Sequence, residues 1–397
     1  GNSGALEFTR DAMGRATTVT YPDGLTLNLT YDAVGNVATM TYPGGMVVTY
    51  VYDALNRPTR VSFDGKIIDM AYDAAGRLTT ETRSTGVTSS YAFDSAGRLA
   101  RIWHFTAAST IVDLTQTRDA AGQITAESGT LPVGPTLTTK QVTGSYDDAD
   151  NLVTFGSDTF TSDQDGNVTA VSGSRSMALA YDNENRMTSL SSAGAVTTYL
   201  YNGLGDRVRS TKTGGATRNF RHDPFGRLAF ETNASGTVTS LYIWVGARIA
   251  AYGTTSEGFV WPLYDRVGST LALTDGTGAT IGAYAYAPYG ARTGKTGTAA
   301  SFFTYVGAFG VMDEGGGVYF MKNRYYDATT GRFLQRDPVG FLGGDNLYRY
   351  LRNNPVSRID PMGFTDFEMD HSGWYDVNTA EGTYDLATGR APHMAEP

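Results

Sequence analysis

Apolar and polar residues alternate along most of this chain. Residues 25–31 (LTLNLTY) and 46–52 (MVVTYVY) are typical. A period of two places every second side chain on one face, the pattern of a half-buried β-strand. No 12-residue window carries a convincing helical period. Each alternating run closes on the same punctuation: an aromatic, Asp, two variable residues, Gly or Asn, then usually Arg or Asn. Clear copies are YDAVGN from Tyr31, YDALNR from Tyr52, YDAAGR from Tyr72, FDSAGR from Phe93, YDNENR from Tyr181, YNGLGD from Tyr201 and HDPFGR from His222. Weaker copies sit at Asp11, Asp119, Asp147, Asp163 and Asp265. The second-position residues recur mostly every 19 to 21 residues, and the gap of 42 from Asp223 to Asp265 predicts a degenerate copy near Trp244. Spacing loosens between Asp94 and Asp163, where insertions such as residues 129–135 (GTLPVGP) intervene.

Each position has a physical reason. The Asp opens a tight turn by accepting backbone N–H groups from residues ahead, and Gly or Asn supplies the positive φ that ends it. About 21 residues make two strands and two turns, one hairpin per repeat. One hairpin cannot bury its apolar face alone, so neighbours must stack side by side. The expectation is an all-β protein of some two dozen strands in one long, twisted, curling antiparallel sheet. The Asp and Arg residues of the repeats are read as architecture, not as sites.

Composition sharpens this picture. The chain has 25 Tyr and 48 Gly against 13 Pro, and 41% hydrophobic residues, enough for a core. It has no Cys, which excludes disulfides, thiolate metal sites and a cysteine nucleophile. A net charge of −9 argues against a general nucleic-acid binder. The acidity is concentrated: residues 365–397 hold seven acids against Arg390 alone. No stretch has the ~18 consecutive apolar residues of a membrane helix, so no membrane insertion by this segment is expected. The start, GNSG, has neither a basic region nor an apolar run, and the chain reads as a piece of something longer.

Chemistry is most concentrated in residues 318–364, an aromatic, arginine-rich and glycine-punctuated block. It carries two near-copies of one phrase, DPVGF at 337–341 and DPMGF at 360–364. On the residues alone, Asp-Pro-x-Gly makes a good turn: Asp caps it, Pro presets φ and Gly closes it. The same phrase twice also offers two carboxyl groups, Asp337 and Asp360, separated by enough chain to meet face to face. Two close carboxyls that share one proton can cut an amide without metal or cofactor. One takes a proton from water while the other, kept neutral, polarises the carbonyl. Arg324, Arg332 and Arg336 are at hand to orient an aspartate or stabilise developing charge. The remaining candidates are bland. His104, His222, His371 and His393 lack metal-ligand spacing, and Gly315, Gly316 and Gly317 lack the Lys-Ser/Thr of a phosphate loop. No cofactor or metal is expected.

The tandem YDxxGR units resemble the YD repeats of Rhs proteins, of the C subunits of insecticidal Tc toxin complexes, and of teneurins. Residues 261–294 resemble the segment leading into the Rhs core. Residues 303–364 resemble the Rhs-associated core domain, with GRF at 331–333, the first Asp-Pro-x-Gly, NLYRY at 346–350, NNP at 353–355 and the closing Asp-Pro-x-Gly. The resemblance implies hairpins spiralling into a hollow β-shell (1–302), closed by a core plug (303–364) and followed by an acidic tail (365–397). It implies a C-terminal toxin or other polypeptide cargo held inside, freed by a single-turnover self-cleavage. It carries the aspartyl autoprotease pair onto Asp337 and Asp360 and the scissile bond onto Phe364–Thr365, where Phe stands in place of the family's usual Leu. The hydroxyl of Thr365 is an alternative nucleophile. Further partners implied are another shell subunit or copies of the chain, with export or surface display by a bacterium. A rival reading is a non-catalytic, teneurin-like adhesion spacer, and another is a shell that self-assembles through exposed strand edges. In the tail, residues 384–390 (YDLATGR) echo residues 326–332 (YDATTGR), so the tail imitates a further hairpin or is the stub of an effector.

Overall fold

The structure is a computed structural model that describes residues 6–137, 141–364 and 366–368. Strand follows strand in two antiparallel meanders. The first has 12 strands, from β1 (Glu7–Arg10) to β12 (Ile124–Thr130); the second has 16, from β13 (Gly144–Tyr146) to β28 (Arg292–Gly297). Every strand in them pairs only with its neighbours in sequence, so neither sheet closes on itself. One expectation is corrected here: the hairpins do not form one continuous sheet. The break lies between β12 and β13, in the stretch where the repeat spacing loosens. Pro132 and Pro135 there lack the N–H that a ladder needs.

The repeat turn is a three-residue hairpin loop that ends in a left-handed glycine. At Asp73, its N–H bonds the Arg77 carbonyl (3.0 Å) and the Gly76 N–H bonds back to the Asp73 carbonyl (3.0 Å). The Asp73 carboxylate accepts the N–H groups of Ala75 and Arg77 on Oδ1 and the Arg77 Nε on Oδ2 at 2.7 Å. Gly76 has φ +85°, which only glycine adopts without strain. The Arg77 guanidinium then lies over the Phe93 ring of the next unit, 4.4 Å from its centroid.

The leading aromatic reaches in the other direction. The Tyr72 hydroxyl donates to the Pro58 carbonyl (2.8 Å), while Arg57 covers the Tyr72 ring (4.5 Å). Tyr31, Tyr52 and Tyr201 repeat the bond to the carbonyls of Ala16, Val37 and Met187. Each of these units is thus latched to the one before it. In the gap of 42, β23 (Val238–Val245) and β24 (Arg248–Thr254) join through only Gly246 and Ala247, without an aspartate. The latch persists there, with the Tyr264 hydroxyl on the Ile249 carbonyl at 2.8 Å.

Packing follows the alternation. In β3 (Thr26–Tyr31), Leu27 and Leu29 are buried while Asn28 and Thr30 are exposed. The run LYIWV in β23 has no polar partner face. Leu241, Ile243 and Val245 join the core built by the first sheet, whereas Tyr242 and Trp244 join a second core with Phe303, Met312 and Phe320. The second sheet is therefore a middle layer, and a strand buried on both faces needs a continuous apolar run. Tyr21 and Tyr42 tie the first sheet to it through the carbonyls of His222 and Tyr242, each at 2.7 Å. Between these layers Glu81 is fully buried, ion-paired to Arg83 (2.5 Å) and Arg248.

On the other side lies a third layer. It is a four-stranded meander of β29 (Met312–Gly315), β30 (Val318–Met321), β31 (Arg324–Asp327) and β32 (Arg332–Phe333). Buried ion pairs fasten it to the second sheet. Arg207 meets Glu314 at 2.6 Å, and Arg175 bridges Asp158 and Asp327 at 2.8 Å each. Tyr305, Tyr319, Tyr326, Phe333 and Tyr350 fill its interior. Two short strands, β33 (Arg358–Ile359) and β34 (Phe367–Glu368), pair with each other beyond it.

Two aspartates on one arginine as a candidate active site

The strands β30 and β31 are joined by a turn of only Lys322 and Asn323, with Met321 opposite Arg324. Lys322 has φ +50°, a costly conformation for a lysine. This turn fixes Arg324 at the first position of β31, with its guanidinium buried and the Phe333 ring 3.6 Å from its carbon. Around it, Nε donates to the Gly363 carbonyl (2.6 Å) and Nη1 to the Leu347 carbonyl (3.1 Å). Nη2 faces both aspartates, at 3.0 Å from Asp337 Oδ2 and 3.4 Å from Asp360 Oδ2.

Both Asp-Pro phrases are turns, as their composition predicts. The Gly340 N–H bonds the Asp337 carbonyl (2.9 Å) and the Gly363 N–H bonds the Asp360 carbonyl (3.3 Å). Their carboxylates differ in what else they hold. Asp337 Oδ1 accepts the Val339 N–H at 3.0 Å within its own turn. Asp360 Oδ1 accepts the Phe364 N–H at 3.0 Å. Asp360 and Arg324 together therefore grip the backbone of Gly363 and Phe364. The Asn323 side chain adds a bond to the Met362 carbonyl at 2.8 Å.

Charge balance distinguishes the two acids. One buried guanidinium compensates one carboxylate, which leaves the second uncompensated in a low-dielectric site. Burial pushes Asp360 up to about 6, opposed by Arg324 and reinforced by the charge of Asp337. Burial also raises Asp337, again opposed by Arg324. Both carboxyls are thus pushed toward their protonated forms, and the charge of Asp337 adds to the shift of Asp360.

Of the three arginines named from sequence, Arg324 alone meets the aspartates. Arg332 turns to the second sheet, donating to the Asp150 carbonyl (2.8 Å) and lying over Tyr146 and Tyr348. Arg336 donates to the Tyr348 hydroxyl at 3.1 Å. Phe364 is half-buried, while Thr365, and with it the alternative hydroxyl nucleophile, lies outside the described residues, as do His371, His393 and the echo at 384–390. His104 sits between Ser89 Oγ (2.7 Å) and the Tyr264 carbonyl (2.9 Å), and burial pushes it down to about 3. Sequence reasoning missed the carbonyls of Leu347 and Gly363 as partners of Arg324. Any residue supplies a carbonyl, so no side-chain signal could have found them.

The RHS Repeat family matches residues 31–67 and 72–102, and the Teneurin YD-shell family matches residues 136–356. Among curated relatives, the tRNA(Glu)-specific nuclease WapA of Bacillus subtilis subsp. natto is 28% identical over 257 residues, 62% of this chain and 10% of that protein. Toxin subunit YenC2 of Yersinia entomophaga is 32% identical over 140 residues, 34% of this chain and 14% of that protein. The chain thus spans about a tenth of the length of the relatives it matches over most residues. In fold, the TcdB2–TccC3–Cdc42 crystal structure matches 92% of this chain and 24% of its own, with a TM-score of 0.65 at 17% identity.

Proposed function

The chain belongs to the teneurin YD-shell family, and on that premise we propose that it is the wall and closing plug of a container for a polypeptide cargo. We further propose that it cuts itself once, between Phe364 and Thr365. The observation that carries the cutting is the meeting of Asp337 and Asp360 on Arg324, while Asp360 and Arg324 also hold the backbone beside that bond.

In the proposed step, Asp337 takes a proton from water as its oxygen attacks the Phe364 carbonyl carbon. Protonated Asp360 gives its proton to the Thr365 nitrogen as the C–N bond breaks. The products are a carboxylic acid at Phe364 and an amine at Thr365, which settle as carboxylate and ammonium; the pair holds both protons in the tetrahedral intermediate and ends with one, on Asp337. Arg324 stabilises the ionised member and, through Gly363, fixes the carbonyl's approach. The cargo is the chain that follows the cut. Relatives named as a toxin subunit and a tRNA nuclease support a toxin as that cargo. A toxin container is used outside the cell that makes it, which favours export, with other toxin subunits as partners.

Intact-mass measurement of the purified chain near pH 5 tests this. The expected products end at Phe364 and begin at Thr365, and both vanish in Asp337→Asn and Asp360→Asn. The rate needs the Asp360 proton, held to about pH 6, so it falls about tenfold per pH unit above that value. A chain that stays whole at every pH would overturn the cutting and leave the container reading intact.

A further inference from the structure

Beyond the bond at Phe364 the chain turns back on itself. Phe367 lies opposite Ile359 and Glu368 opposite Arg358, so β34 runs antiparallel to the strand that leads into Asp360. Between the turn and this pairing sits Asp366, whose side chain is mostly buried. One carboxylate oxygen pairs with Arg358 Nε, and Arg358 Nη2 also donates to the Asp366 carbonyl at 3.4 Å. The other oxygen faces Arg352 Nε at 3.3 Å.

The placement of Arg352 is costly. Leu351, Arg352 and Asn353 are consecutive and all left-handed, with φ of +54°, +49° and +64°. Side chains rarely adopt this region even singly, and such strain persists only where the surroundings impose it. Here the buried Tyr350 ring, 4.1 Å from Tyr326, and buried Leu351 pin the run from inside. Its outward consequence is the guanidinium of Arg352 over Asp366.

We infer that Arg358 and Arg352 are positioning residues that clasp Asp366 and hold the downstream side of the Phe364–Thr365 bond, before and after it is cut. The inference rests on the cutting proposed above. Upstream, Arg324 and Asp360 hold Gly363 and Phe364; downstream, the clasp and the β33–β34 pairing hold Asp366 to Glu368. The chain is thus held on both sides of the bond, at Phe364 and at Asp366, and such restriction of motion is of the kind that accelerates a reaction. After hydrolysis the new amine lies one residue from a clasped aspartate, so the cut ends stay together and the downstream fragment stays with the container.

The test uses the full chain. Arg352→Gln with Arg358→Gln, and separately Asp366→Asn, are expected to slow appearance of the Phe364 product about tenfold while the fall in rate near pH 6 stays where it is. In the cut wild type the downstream fragment co-elutes with residues 1–364 on gel filtration; in these variants it separates. The charge-swapped pair Arg358→Glu with Asp366→Arg recovers part of both losses. In the uncut Asp337→Asn background, the same arginine changes speed amide exchange at Asp366, Phe367 and Glu368 about tenfold. Unchanged cutting, retention and exchange in the variants would overturn the clasp even if the wild type cuts efficiently. A wild type that never cuts, with exchange that still responds, would remove the cutting and leave the clasp as a holding device alone.

Discussion

Gly340 and Gly363 stand at the same place in twin phrases and carry different loads. A Cβ on Gly340 would meet nothing within 4 Å, and its φ of +61° is the only obstacle. A Cβ on Gly363 would meet the Met321 carbonyl at 2.6 Å and the Arg324 nitrogen at 3.0 Å. Gly340→Ala is therefore expected to cost about 1 kcal/mol from strain alone, and Gly363→Ala about 3 kcal/mol with loss of the cut product. Urea unfolding and intact mass read the two effects. The repeated phrase and the family resemblance put Asp337 and Asp360 forward together, and the fold brings both to Arg324. The choice among three arginines was not, since Arg324, Arg332 and Arg336 look alike until the Lys322–Asn323 turn sorts them. The raised value of Asp360 also has a thermodynamic sign. The folded state binds that proton more tightly than the unfolded chain, whose value is near 3.8. Stability from this group is thus lost as pH rises from about 4 to 6 and changes no further above that.

For the hairpin, what matters is how its parts hold one another. The aspartate turn was readable because residues within five positions make it entirely. The opposite ends of the hairpins are expected as the second turn of each repeat, but no recurring residue fixes where they fall. At Tyr21, Tyr42 and Asn233 the same two backbone bonds form without an aspartate to mark them. The latch also escaped the sequence, since a tyrosine hydroxyl reaching a carbonyl 14 residues back leaves no trace in spacing. Tyr72→Phe removes that bond, keeps the ring under Arg57 and frees the Pro58 carbonyl. It is expected to lower stability by about 1 kcal/mol, measured by urea unfolding. Phe93, which has no hydroxyl to donate, is the natural control: Phe93→Tyr is expected to gain a smaller amount.

Across the whole molecule three layers share one middle sheet. The β-class and the repeat number were legible from period and punctuation. The layering was legible only in part: the unbroken run from Leu241 to Val245 signals two buried faces but not what covers them. The third layer depends on buried charge. Arg175→Met would strand the carboxylates of Asp158 and Asp327 without their cation, expected to cost about 3–5 kcal/mol. Limited proteolysis should then release residues 303–364 well before the sheets are degraded. If that block survives as in the wild type, its apolar contacts suffice to hold it.

The tyrosine latch has a mechanical side. Where a tyrosine opens a unit, its hydroxyl grips the unit before it, so tension drawn along the sheet loads these latches one after another. Each yielding hairpin pays out about 21 residues, roughly 70 Å of slack, before the next is felt. Such a wall unravels in equal steps, like a zipper with evenly spaced teeth, and leaves the untouched remainder standing until its turn comes.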